Sequence, residues 1–174
     1  IEDVQEAADV LRTVYRDTDG ADGFVSLEVS PDVARDATAT VAEARRLWQS
    51  VNRPNVMIKI PGTRESWPAI ERSLRDGINI NVTLLFSIEH YEAVADAYLR
   101  ALEARVAQGL PITHIASAAS LFVSRVDSEI AKTISALRTF CRRLPYTFRD
   151  HGSDRYRSAK TNGAMCPVFS WVRL

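Results

Sequence analysis

The sequence predicts an α/β fold built on parallel strands. Strand-like and helix-like segments alternate along the chain, and connections of that length act as right-handed crossovers between parallel strands rather than as hairpin turns. Each strand also alternates apolar with polar residues, whereas strands of an open doubly wound sheet are usually apolar on both faces. One face is aliphatic and suits covering helices. The other gathers polar groups toward the C-terminal halves of the strands, as in a β/α barrel whose functional groups converge at that mouth. The expectation is a partial β/α (TIM-type) barrel of about four parallel strands with their helices over residues 1–137, and an irregular basic tail over residues 138–174.

The elements follow in order. Residues 2–16 read as a helix, with Val4, Ala7, Ala8, Leu11, Val14 and Tyr15 at helical spacing. Ile1 is neither an initiator methionine nor the start of a signal peptide, so further chain is expected upstream. Residues 24–30 form a first strand, in which Val25, Leu27 and Val29 oppose Phe24, Ser26, Glu28 and Ser30. A helix over 31–51 is capped by Ser30, carries Pro31 in its first turn, and turns Val33, Ala37, Val41, Ala44, Leu47 and Trp48 inward. In the strand over 56–60, Val56, Ile58 and Ile60 oppose Met57 and Lys59. A short helix over 67–75 is capped by Ser66 and closed by Gly77.

The third strand, 78–86, sets Ile80, Val82, Leu84 and Phe86 against Asn79, Asn81, Thr83 and Leu85. Ser87 then caps a long helix striped by Tyr91, Val94, Ala95, Tyr98, Leu99, Leu102 and Val106 and stopped by Gly109. In the fourth strand, within 112–123, Ile115, Ala119 and Leu121 oppose His114, Ala116, Ala118 and Ser120, and a further helix covers 127–137 with Ser124 as a cap.

Composition narrows the function classes. The chain of 174 residues suits one medium domain, with 46% hydrophobic and 25% charged residues and no net charge. No overall field favours nucleic acid or an anionic membrane, and no apolar run approaches the ~18 residues of a membrane span. Cys141 and Cys166 have neither metal-ligand spacing nor the look of a disulfide framework, so a cytoplasmic setting is expected, without metal or cofactor. His90, His114 and His151 are scattered without ligand spacing, and Gly62-Thr63 is no glycine-rich phosphate loop. The tail carries Arg138, Arg142, Arg143, Arg149, Arg155, Arg157, Lys160 and Arg173 against only Asp150 and Asp154, and no period survives beyond about Leu144. A basic tail can meet nucleic acid or phosphate; the simpler expectation is a poorly ordered end, or a sequence altered by truncation or frameshift.

Pairing adjacent strands places Glu28, Lys59, Asn81, Thr83 and Ser120 on one inner surface near the strands' C-terminal ends. A cation within an apolar strand is expensive, and burial drives an amine toward its neutral form, which attacks ketones. A Schiff-base reaction needs such an amine, a group to shuttle protons through carbinolamine formation and loss, and donors to hold sugar hydroxyls. Arg125, just past the fourth strand, offers a planar fork for a phosphate. The competing reading is a buried Glu28–Lys59 ion pair among satisfied polar groups, although such a pair is poor stabilisation by itself.

Four segments then carry a family resemblance: Gly23-Phe24-Val25-Ser26-Leu27-Glu28-Val29-Ser30-Pro31, Met57-Ile58-Lys59-Ile60-Pro61-Gly62-Thr63, Asn79-Ile80-Asn81-Val82-Thr83-Leu84-Leu85-Phe86-Ser87 and Ala119-Ser120-Leu121-Phe122-Val123-Ser124-Arg125-Val126-Asp127. In this order and spacing they resemble bacterial transaldolase over residues 3–137. The resemblance implies a class I, metal-free barrel enzyme of the non-oxidative pentose phosphate pathway, with the strands here standing as the third to sixth. Such an enzyme moves a dihydroxyacetone unit from sedoheptulose 7-phosphate to glyceraldehyde 3-phosphate, giving erythrose 4-phosphate and fructose 6-phosphate.

By the same resemblance, Lys59 matches the Schiff-base lysine, and Glu28 with Thr83 matches the pair that orders a catalytic water. Asn81 and Ser120 match positions that hold the dihydroxyacetone unit, Phe122 lines the pocket, and Arg125 matches a phosphate-binding arginine. The family's proton-shuttling aspartate, at the end of its first strand, and its last two strands find no match. The alternatives are a class I fructose 6-phosphate aldolase, which shares the lysine but cleaves rather than transfers, and a non-catalytic barrel remnant or phosphate-binding module. Glu28 favours transaldolase over the aldolase. The expected partners are sugar phosphates, not nucleic acid or membrane, with self-association through open barrel edges.

Overall fold

The computed structural model describes residues 1–143 and 170–173, with side chains described through Leu137. The chain divides into two units, Ile1–Leu121 with Trp171–Leu174, and Phe122–Ser170. In the first, α1 (Glu2–Val10) and α2 (Arg12–Asp17) precede β1 (Val25–Glu28), α3 (Ala37–Val51), β2 (Val56–Pro61), α4 (Trp67–Arg75), β3 (Ile80–Leu85), α5 (Ile88–Ala107) and β4 (Ser117–Leu121). The second unit opens with α6 (Val123–Arg143). A fifth strand, β5 (Ser170–Arg173), follows β4 in the sheet order.

The first four strands are parallel, and each lies beside its neighbour in sequence. A doubly wound sheet reverses its strand order at a switch point; no reversal occurs here. Repeated right-handed crossovers without reversal put the connecting helices α3, α4 and α5 on one face. On that face Ile58, Ile60, Ile80, Val82 and Ala119 pack with Ala44, Leu47, Ile70, Leu74, Val94 and Ala97 of the helices. The result is an α/β fold consistent with part of a β/α barrel.

Several elements depart from expectation for local reasons. The opening helix is divided at Leu11 (φ −82°, ψ −1°), and Val10, Leu11 and Val14 are exposed, whereas Ala8 of α1 is buried and Tyr15 of α2 packs edge-on against Phe24. The next helix begins at Ala37, not at residue 31. Ser30 caps only a 3-10 turn, Pro31–Val33, while Asp36 accepts from the Ala39 N–H at 2.9 Å and captures the helix start. Ser66 does not cap α4 through its side chain; its hydroxyl donates to the Ala34 carbonyl at 3.1 Å. Helix α6 starts at Val123, which places Ser124 inside the first turn rather than at the cap. It also runs to Arg143, past the residue-137 limit expected for ordered chain. The remaining expectations for the tail, including those on Cys166 and His151, fall outside the described residues.

Helix α5 buries Val94, Ala97, Ala101 and Arg105, with Tyr91 and Tyr98 packed against the core. Leu99 and Val106, expected inside, are exposed. Arg105 displaces the expected stripe because its guanidinium closes loose ends: it donates to the Arg75 carbonyl at 2.7 Å and to the Pro111 carbonyl at 3.1 and 2.8 Å. It thereby satisfies an orphan carbonyl at the C-terminus of α4. Two buried asparagines do similar work at the same end of the sheet. Asn55 Nδ2 donates to the Ala8 and Gly23 carbonyls, and Asn79 Nδ2 donates to Pro54 and Val56 while its Oδ1 accepts from the Ala116 N–H. Arg53 adds a bidentate grip on Asp9, whose hydrogen bonds hold that carboxyl below its ordinary range.

Strand β3 carries a bulge. Its partners on β4 run from Ala119 opposite Val82 to Leu121 opposite Leu85, so β3 spends one extra residue between them. Leu84 sits there at φ 58°, a left-handed conformation that costs a non-glycine residue about 1–2 kcal/mol. The bulge overturns the expected faces: Leu85 is fully buried in the outer core, whereas Leu84 and Phe86 are exposed.

Gly62, just past β2, is the counterpart of that turn. A Cβ there would stand 2.4 Å from Leu85 Cδ2 and 3.2 Å from the Thr83 carbonyl oxygen. Gly62→Ala should therefore lower the unfolding free energy by about 1–3 kcal/mol, seen as a lower urea midpoint. In a Leu85→Ala background, Gly62→Ala should cost less than it does in the wild-type chain.

Candidate active site

The parallel register aligns Glu28 with Lys59, Lys59 with Asn81 and Asn81 with Ala118 in one row across the inner face. One pleat further toward the strands' C-terminal ends, Thr83 lies opposite Pro61, and Ser120 takes the corresponding place on β4. Beneath the row, Met57, Ala116 and Ala118 form a small apolar floor with Phe24 packed against it. The methyl side chains of Ala116 and Ala118 keep this part of the face low beside Asn81.

Lys59 Nζ donates to Glu28 Oε2 at 3.3 Å. The lysine side chain is 28% exposed and that of Glu28 is 48% exposed. The sequence suggested a buried amine; the structure leaves it within reach of water. A solvent-screened pair contributes only about 0–1 kcal/mol, so stability does not account for two charges on the inner face. What the pair provides is an amine and a carboxylate within hydrogen-bond reach of each other on a partly hydrated face.

The remaining groups are deeply placed. Asn81 is 1% exposed and lies between two serines: its Nδ2 donates to Ser26 Oγ at 3.0 Å, and Ser120 Oγ donates to its Oδ1 at 2.9 Å. Ser26 was not singled out from the sequence, although it shares the parity of Glu28 in the strand alternation. Thr83 is 1% exposed, and its hydroxyl oxygen has no hydrogen-bond partner. Among the described residues the other such side-chain atoms are Asn55 Oδ1 and Ser73 Oγ, both away from this row. A buried hydroxyl without a partner is unfavourable, and this one stands next to the lysine row.

Phe122 and Arg125 belong to the second unit and form a pair of their own. The Arg125 guanidinium carbon lies 4.4 Å from the Phe122 ring centroid, a cation–π contact. The sites with weaker claims resolve simply. His90 is half buried, edge-on to Trp67 at 5.6 Å, and His114 is exposed. Among the described residues no group of His, Cys, Asp and Glu is placed to hold a metal, and no helix is long and apolar enough to cross a membrane. A cavity of about 460 Å³ opens near the N-terminal ends of the strands, among Tyr15, Trp48, Asn79 and Arg105. It contains none of the residues of the polar row.

Thr83→Val keeps the shape and removes the unpartnered hydroxyl, and should raise the unfolding free energy by about 1–2 kcal/mol. Ser26→Ala takes a partner from a buried amide and should lower it by about 1–3 kcal/mol. Urea denaturation of the two variants, which should shift in opposite directions, checks both.

A family model described as Transaldolase/Fructose-6-phosphate aldolase matches residues 1–161. Transaldolase of Thermobifida fusca is 57% identical over 137 residues, covering 79% of this chain and 37% of that protein. Transaldolase 1 of Streptomyces coelicolor is 57% identical over 79% of this chain and 36% of its own length. Transaldolase 2 of Nostoc punctiforme is 52% identical over 72% and 33% respectively. The chain thus spans about a third of the length of these relatives. With its in-order parallel strands and its lysine–carboxylate row, this chain belongs to the transaldolase/fructose-6-phosphate aldolase family.

Proposed function

We propose that these residues form the Schiff-base part of a transaldolase, which transfers a dihydroxyacetone unit from sedoheptulose 7-phosphate to glyceraldehyde 3-phosphate in the non-oxidative pentose phosphate pathway. The observation that supports this most is the row itself: Lys59 beside Glu28, with Asn81 in register on its other side. The Lys59 amine adds to the ketose carbonyl, and the resulting carbinolamine loses water to give an iminium. Glu28 and Thr83, through a water between them, deliver and remove the protons of these steps. The unpartnered Thr83 hydroxyl supports that role.

Cleavage of the bond beyond the hydroxyl-bearing carbon releases an aldehyde and leaves an enamine on the lysine. The enamine then adds to the acceptor aldehyde, and hydrolysis frees the product and the amine. Asn81 and Ser120 hold the hydroxyls of the three-carbon unit. By resemblance to the family's motif, Phe122 is the proposed pocket residue, and Arg125, in the first turn of α6 where helix N–H groups also favour anions, is the proposed phosphate ligand.

A cytoplasmic setting rests on two cysteines without the pattern of a disulfide framework. Among the described residues β1 pairs with β2 alone, and this supports association with another copy through its other edge. The paired name of the matching family keeps an aldolase as the second reading. Fructose 6-phosphate given without an acceptor separates the two, because an aldolase releases free dihydroxyacetone with turnover and a transaldolase retains it on the enzyme.

Borohydride reduction in the presence of fructose 6-phosphate should leave a covalent adduct on the intact wild-type chain, read by mass spectrometry, and none on Lys59→Ala. A folded wild-type chain without adduct would sink the reading. Arg125→Ala should raise the half-saturating concentration of phosphorylated ketoses about tenfold or more, with little effect on unphosphorylated dihydroxyacetone. Equal loss for both would remove the phosphate role.

A further inference from the structure

Leu84 occupies the left-handed region at φ 58°, where a bulky side chain is strained and a glycine is not. Leu84 is 37% exposed and does not belong to the buried core cluster, so core packing is not what holds it in this conformation. Strain of this kind persists where the surrounding structure over-determines a residue, and it concentrates at functional sites.

The effect of the bulge is local and specific. It ends the inward alternation of β3 at Thr83 and turns Leu85 into the layer beneath the helices. The Thr83 carbonyl accepts from the Gly62 N–H at 2.7 Å, and the Thr83 hydroxyl is left buried without a protein partner. Thr83 is thus clamped from β2 on one side and by the bulge on the other. In an unbulged strand the residue after Leu84 would face inward.

We propose that Leu84 is a positioning residue, whose Cβ stiffens the bulge and so fixes the Thr83 hydroxyl relative to the Lys59 amine. The catalytic half of this inference rests on the Schiff-base reading above. Leucine rather than glycine is the informative choice, because glycine adopts the same conformation without strain but leaves the segment free to exchange with other conformations. In this role Leu84 acts through Thr83.

Two variants of the whole chain, Leu84→Gly and Leu84→Ala, test it, since alanine retains the Cβ. In Leu84→Gly, hydrogen exchange at the Gly62 amide should quicken about tenfold without loss of global stability, whereas Leu84→Ala should stay within about threefold of wild type. The rate of borohydride-trapped adduct formation with fructose 6-phosphate should fall about fivefold in Leu84→Gly, and should fall no further when Thr83→Ala is already present. Unchanged exchange at Gly62, or a full additional loss on the Thr83→Ala background, would overturn the proposal. A folded wild-type chain that yields no adduct while Gly62 exchange responds as expected would overturn the Schiff-base reading and the catalytic half with it, and would leave the mechanical role of Leu84 standing.

Discussion

Register between parallel strands is the constraint on which the rest of this structure depends. Glu28, Lys59 and Asn81 come from segments far apart in sequence, and only the pairing of β1 with β2 and of β2 with β3 brings them into one row. Because side chains in a strand alternate faces, a slip of one residue in β2 would send Lys59 into the aliphatic layer and bring Ile58 and Ile60 to the inner face. The outer core forbids that slip: Ile58, Ile60, Ile80 and Val82 are fully buried against the helices. Packing on one face therefore determines chemistry on the other.

The inner face combines two electrostatic regimes. Lys59 and Glu28 remain partly hydrated and pair across 3.3 Å, which keeps both charges tolerable and their contact adjustable. Asn81 and Ser120 are removed from water and have their polar atoms engaged with each other and with Ser26. Thr83 is removed from water with its hydroxyl unengaged. A partly hydrated ion pair beside a buried amide–hydroxyl chain suits a site that exchanges protons with water while holding a polar ligand in one orientation.

Much of this was legible in the sequence because alternation is a property of the backbone and needs no tertiary information. It assigned Glu28, Lys59, Asn81, Thr83 and Ser120 to one face, and those residues lie on that face. It failed at Leu84, Leu85 and Phe86, because a bulge changes parity without any glycine to announce it. Ser26 carried the right parity but was passed over, since a serine near the start of a strand has no feature that predicts a partner two strands away. The stripe of α5 was misread because apolar Leu99 and Val106 fit a helical period as well as the true contact line does. The residue that decides the matter, Arg105, is charged, and hydrophobic periodicity gives it no place in the stripe. The extended first turn assigned to α3 shows a similar competition, in which Ser30 and Asp36 are both good caps and only the packed structure selects Asp36.

Arg105, Asn55 and Asn79 have a consequence beyond the bonds they make. All three are buried and all bind backbone carbonyls near the N-terminal ends of the strands. Each joins segments that belong to successive strand–helix units, so the base of the sheet is stapled by side chains that recognise no particular neighbour, only its peptide oxygen. Substitutions in the loops at the opposite rim leave those staples untouched. The sheet is thus an anchored root with a permissive crown, an arrangement in which new recognition can be tried at one end without loosening the fold at the other.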